Sequence, residues 1–217
     1  QYLKIDGVNQ IVIDSWAKKK LIEGYLQIPT TKILINVGLG VSKLNIKQIR
    51  LIPCNGYIKL EFVHEIPDVQ TKQDNKRYMS IDLGINNLCS CSSNVISSFI
   101  VNGKPVKSIN QYYNKQVAKY KSICETVNQC KTSKRIQRLN YKRSNKIEDY
   151  FHKVSRYIVN QLVSNNINTL VIGHTNYWKQ DTKLGKKTNQ NFIQIPFNKL
   201  IQMLSYKCRL LGINCVI

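Results

Sequence analysis

Tyr78-Met79-Ser80-Ile81-Asp82-Leu83-Gly84 is the stretch on which the reading of this chain turns. Tyr78–Ile81 is a short strand-like run closed by Asp82-Leu83-Gly84, and Ile85-Asn86-Asn87-Leu88 leads into a second such run. A carboxylate inside a strand is costly unless it has a partner. The glycine two residues later lets another backbone or a ligand come close. In a very basic chain, a lone acid on a core strand suggests metal-dependent chemistry on nucleic acid.

The surrounding composition points the same way. Lys and Arg number 33 against 12 acids, a formal charge of +21. Such an excess calls for a polyanionic partner, and nucleic acid fits best. The basic stretches lack the wide apolar face of a membrane-surface helix, and no apolar run approaches the ~20 residues that span a bilayer. With 217 residues and 42% apolar content, one large or two small packed domains are expected. The seven cysteines include no C-x2-C pair, so no zinc site is expected in this span. Cys89 and Cys91 have strand spacing and read as buried thiols. The odd count, without a visible leader, fits a reducing intracellular compartment. Gln1 at the start and strand-like Cys215-Val216-Ile217 at the finish read as cuts from something longer.

Two regions are expected, 1–76 and 77–217. The first reads as strands at Gln10–Ile13, Gly24–Ile28, Lys32–Asn36, Ile46–Ile52 and Tyr57–Val63, with a turn at Pro53-Cys54-Asn55-Gly56, and suggests a partial barrel. Polar Asp68–Lys76 reads as a linker. The second reads as strands at Tyr78–Asp82, Leu88–Ser92 and Ile96–Val101, then helices from Ser108 to about Asn165. Pauses are expected near Lys131-Thr132-Ser133 and Arg143-Ser144-Asn145. Phe151, Val154, Ile158 and Leu162 keep the spacing of one buried helical face. A strand at Thr169–Ile172, a polar loop, a helix opened by Pro196 and stopped by Gly212, and a strand from Ile213 complete the order βββ-α-β-α-β, a mixed α/β layer.

In an RNase H-type sheet of that order, an acid at the centre of the first strand holds divalent metal. Two ions about 3.5–4 Å apart activate water and stabilise the leaving oxygen of a phosphodiester. Mg²⁺ suits carboxylate oxygen, and one carboxylate cannot hold two ions. The plainer reading of Asp82 is a strand-end cap on the turn at Gly84. Ile-Asp-Leu-Gly-x-x-Asn also resembles the first phosphate loop of actin-like and heat-shock ATPases, whose backbone N–H groups wrap nucleotide phosphates. No second glycine-rich phosphate loop follows.

Between Lys115 and Lys146 the chain carries Lys115, Lys119, Lys121, Lys131, Lys134, Arg135, Arg138, Lys142, Arg143 and Lys146, opposed only by Glu125. Tyr112, Tyr113, Tyr120 and Tyr141 are interleaved. Arg135, Arg138 and Lys142 fall at i, i+3 and i+7, on one helical face. Without acids for i, i+4 pairing, that face reads as a track for phosphates rather than a solvated surface. After the fourth strand, His174 is a candidate ligand or base, or simply structural. Trp178 and Lys179 are candidate nucleic-acid contacts.

These residues together resemble the TnpB/Fanzor family of transposon-encoded RNA-guided DNA nucleases. The resemblance rests on Tyr78–Leu88, on Asn102–Lys115, on Ile172-Gly173-His174 with Trp178-Lys179-Gln180, and on Asn189–Phe197. It implies that 1–76 is the tail of a wedge-type barrel that grips guide RNA and target duplex. Residues 77–217 would be the first part of a RuvC nuclease domain, with Asp82 its first catalytic, Mg²⁺-binding acid. It also implies guide RNA and target DNA as partners. Most members carry a Glu at the end of the fourth strand, where Gly173 and His174 stand here. In another branch the Glu follows the fifth strand, beyond Ile217, as would the family's zinc ribbon and last Asp. The alternative is a catalytically inactive, truncated nucleic-acid-binding relative.

Overall fold

The computed structural model describes residues 2–5, 8–13, 21–22, 24–42, 44–54, 57–127, 130–174 and 192–217. They divide into two compact units, 1–67 and 68–217.

In the first unit β1 (Tyr2–Ile5), β2 (Val8–Ile13), β6 (Ile46–Cys54) and β7 (Tyr57–His64) form an antiparallel sheet in the order β1-β2-β6-β7. A smaller sheet holds β3 (Leu21–Ile22), β4 (Tyr25–Gln27) and β5 (Leu34–Asn36), followed by the one-turn helix α1 (Leu39–Ser42). Leu26 of the small sheet packs with Ile13, Ile46, Ile49 and Leu51 of the large one in a single core. The β6–β7 pairing runs to Cys54↔Tyr57. Asn55 and Gly56, half of the expected turn, lie outside the described residues.

The second unit is the mixed α/β layer that the element order implies. Its strands are β8 (Tyr78–Leu83), β9 (Asn87–Ser93), β10 (Phe99–Asn102), β11 (Thr169–Ile172) and β12 (Asn214–Val216), in the order β10-β9-β8-β11-β12. β8, β9 and β10 pair antiparallel, whereas β11 runs parallel to both β8 and β12. Along β8 the side chains alternate. Met79, Ile81 and Leu83 are buried, and Tyr78, Ser80 and Asp82 are exposed. The buried set meets Phe151, Ile158 and Leu162 of α3 (Lys134–Ser164) and Phe197, Leu200 and Leu204 of α4 (Phe197–Arg209) in one core. On the other strands Ile100, Val171 and Val216 remain exposed, so the face that carries Asp82 is open.

Gly103 directs the chain from β10 into α2 (Lys104–Val127). Its N–H donates to Asn86 O at 2.7 Å, and a Cβ there would lie 2.0 Å from Ile85 O. Asn102 Oδ1 then accepts from Lys104 N–H at 2.9 Å and caps the helix start. The expected break near residues 131–133 is real: Ser133 caps α3 by accepting from Ile136 N–H. The expected pause at Arg143-Ser144-Asn145 is absent, because α3 runs unbroken from Lys134 to Ser164. Arg143 is bonded to neighbouring elements and Ile147 is buried, so tertiary contacts override the weak helix preference of Ser and Asn.

The polar stretch Asp68–Lys76, expected as a linker, is tied into the second unit. Lys72 N–H donates to Gly212 O at 2.8 Å, Asn168 Nδ2 to Gln73 O at 2.8 Å, and Asn75 Nδ2 to Asn166 O at 2.7 Å. All seven cysteines are free. Burial pushes the Cys89 thiol well up and that of Cys91 up to about 12, as befits inert core thiols.

Among the described residues one charged side chain is buried. Lys207 of α4 is 4% exposed, and its Nζ donates to Ser155 Oγ at 2.6 Å and His152 O at 3.0 Å. Burial, aided by Arg156, holds its pKa below that of an ordinary lysine. The unfolded chain therefore binds more protons between the lowered value and the ordinary one, and the lysine's penalty is relieved as pH rises through that window. Lys207→Met is expected to hold or raise the melting temperature at neutral pH and to flatten this alkaline limb, read by thermal denaturation against pH. Phe151→Ala should cost about 3–5 kcal/mol by urea denaturation.

Candidate functional site

Asp82 owes its position to the β8 alternation: it emerges on the open face of the central strand, opposite Ser90 of β9. On the other side, β11 pairs Ile172 with Ile81, and Gly173 N–H donates to Ile81 O at 2.9 Å. The end of the fourth strand thus stands beside the first strand's acid. A Cβ on Gly84 would lie 2.7 Å from Asn87 O, which accounts for the glycine at this tight turn. Ser80, Asp82, Ser90, Ser92, Ile100, Val171 and Gly173 line a shallow hollow of about 560 Å³.

Mg²⁺ demands near-octahedral oxygen ligation, and a two-ion site needs several carboxylates. Among the described residues no three His, Cys, Asp or Glu side chains lie close enough together to hold a metal. Asp82 with neighbouring serine hydroxyls does not fit a two-ion site. Gly173 leaves room for a side chain, since a Cβ there makes only an ordinary 3.5 Å contact with Ile81 O.

The basic residues lie on the antiparallel hairpin of α2 and α3. Two pairs along it stack cation on ring: Arg135 over Tyr120 at 4.4 Å, nearer the turn, and Arg143 over Tyr113 at 5.0 Å, two turns further along. Arg135, Arg138 and Lys142, placed on one face by their spacing, are all exposed and line one hollow of about 600 Å³ with Lys134, Tyr112 and Tyr120. Lys115, Lys119 and Lys121 are exposed on α2 outside that lining.

Arg143 is engaged inside the protein. It is half-buried; its Nε donates to Asn110 Oδ1 at 2.7 Å and its Nη2 to Gln194 O at 2.8 Å. Burial lowers its pKa. Asn114 and Gln194 exchange two side-chain hydrogen bonds of 2.9 Å, and Tyr113 Oη bonds Asn140. This network locks both helices to the segment before α4, and no sequence period announces it. Trp178 and Lys179 lie outside the described residues, whereas His174 is half-buried directly after Gly173.

A mixed sheet with an exposed acid on its central strand and an acid-poor basic hairpin in one unit define a basic α/β-layer protein. The sequence profile of OrfB_IS605, described as a probable transposase, matches residues 61–179. That is more than half of the chain, and the chain belongs to this family. The resemblance to TnpB is thereby borne out. No curated protein matches significantly. Two solved structures share the fold. One is the cryo-EM structure of the Cas12f1-sgRNA-target DNA complex, with TM-score 0.54 and 15% identity over 80% of this chain and 36% of that one. The other is a CRISPR-Cas12f ternary complex, with TM-score 0.50 and 11% identity over 80% and 35%. The chain spans about a third of the length of either.

Two outcomes follow from this geometry. Gly173→Glu should set a second carboxylate beside Asp82 and tighten Mn²⁺ binding roughly tenfold, a gain of ~1.4 kcal/mol, measured by calorimetry against Gly173→Ala. Arg143→Ala, which leaves Asn110 and Gln194 O unpaired, should lower stability by about 2–4 kcal/mol, whereas Arg138→Ala stays within ~0.5 kcal/mol by urea denaturation.

Proposed function

We propose that this chain is the nucleic-acid-holding portion of a TnpB-type, RNA-guided DNA nuclease, in which the second unit is a RuvC (RNase H-like) layer and the first a wedge-type partial barrel. The sheet order, with three antiparallel strands extended by two parallel ones and the acid on the central strand, supports the RuvC reading. The observation that carries the binding role is the exposed, acid-free row Arg135, Arg138 and Lys142 on the hairpin. A row of two guanidinium groups and one ammonium facing solvent can neutralise successive phosphates and release their counterions. Lys115, Lys119, Lys121, Trp178 and Lys179 extend the candidate contacts. One of the two matched structures is named as a complex with an sgRNA and target DNA, and guide RNA and target DNA are the partners proposed here.

Asp82 is proposed as the one carboxylate these residues contribute to a divalent-cation site. Cleavage then depends on acids outside the described residues. The isolation of Asp82 also favours a second reading, a binding protein without nuclease activity. A zinc ribbon, if the family pattern holds, would likewise lie outside this span.

The test measures affinity of the full chain for DNA and RNA by fluorescence anisotropy against salt. Replacing Arg135, Arg138 and Lys142 together by Ala should flatten the log–log salt slope by roughly 2–3, as expected for about 0.9 per lost phosphate contact. An unchanged slope overturns the role of this row. Asp82→Ala should leave affinity within about twofold but abolish any Mg²⁺-dependent cleavage; equal cleavage by the variant removes Asp82 from the chemistry.

A further inference from the structure

The hairpin groove has an architecture that a simple phosphate track does not require. Two hollows, of about 400 and 600 Å³, adjoin along one side of α2 and α3 and share Tyr112, Leu139 and Lys142. Each is the size of a small-ligand pocket rather than of a duplex-wide channel. Three tyrosines of α2 border them, and they are not equivalent. The ring of Tyr120 is covered by Arg135, and that of Tyr113 by Arg143, with its hydroxyl bonded to Asn140. Tyr112 is 61% exposed and stands where the two hollows meet. It sits in the stripe Ser108, Tyr112, Gln116 and Tyr120, one turn apart on the groove side of α2. Across the groove Arg138 and Lys142 are exposed, and among the described residues no acid lines either hollow.

An open aromatic face with cations across a base-sized hollow is the arrangement that receives an unstacked base and its phosphate. A paired base inside a duplex cannot present its face to a side chain. Resting on the nucleic-acid reading above, we infer that the α2–α3 groove is a single-strand site. One nucleobase stacks on Tyr112, and its flanking phosphates are held by Arg138 and Lys142. The neighbouring tyrosines are already capped by arginines, so stacking is confined to one position along the strand.

The experiment compares the full chain on a short oligothymidine, an oligouridine and a blunt hairpin duplex, by fluorescence anisotropy at fixed salt. Tyr112→Ala should weaken single-strand binding about fivefold or more, the loss of one base stack. Tyr112→Phe should retain it, and duplex binding and the salt slope should not move with either. A single abasic site at the stacked position should reproduce the Tyr112→Ala loss and make the two losses non-additive. Dependence on Tyr112 with RNA, with DNA or with both supports the site and identifies its strand. Equal losses on single strand and duplex, or none on either, overturn the stacking site while leaving nucleic-acid binding intact. Failure of the unmodified chain to bind any of the three overturns the underlying reading as well. Thermal denaturation of both variants confirms folding, which substitution at so exposed a residue should not disturb.

Discussion

The register of β8 sets Met79, Ile81 and Leu83 under α3 and α4 and leaves Ser80 and Asp82 on the open face. A slip of one residue would exchange those sets, driving an unpaired carboxylate into the core and three large apolar side chains into water. Hydrogen-bonded neighbours on both sides oppose such a slip, with β9 antiparallel at Asp82↔Ser90 and β11 parallel at Ile172↔Ile81. The core that α3 and α4 build, the place where β11 ends and the identity of the residue beside Asp82 all follow from that one register.

The hairpin answers a different problem. A row of cations without acids makes α2 and α3 repel themselves, since like charges one turn apart weaken a helix. Compensation comes from the interior side. Arg143 spends its charge on Asn110 and Gln194 O, and Arg135 lies against the Tyr120 ring. Arg143 therefore holds the hairpin from inside and Arg135 braces it against Tyr120, while Arg135, Arg138 and Lys142 all stay exposed.

Much of this was legible in the residues. β8 and the buried face of α3 were readable because periods of two and of three to four survive whatever surrounds them. The turn at Ser133 was readable because a capping serine acts locally. The continuity of α3 through Ser144 and Asn145 was not, since it depends on bonds from Arg143 to residues 33 and 51 positions away. For the same reason Arg143 looked like one more surface cation. Asp82 was readable as the acid that β8 turns to its open face. The room beside it at Gly173 emerged only once β11 was laid parallel to β8.

The main core of the second unit takes Val106 from the start of α2 and Ile147 onward from α3, but nothing buried between them. Beyond those points only Asn110, Cys124 and Ile136 are buried among the described residues of the hairpin. The far half of the hairpin is thus a cooperative unit of low local stability set on a rigid sheet. Its amide protons should exchange with solvent well before those of β8 or of α3 past Phe151. If the proposed strand binds there, it would slow that exchange in the hairpin alone, tying order to binding in the part of the fold that contributes least to its cohesion.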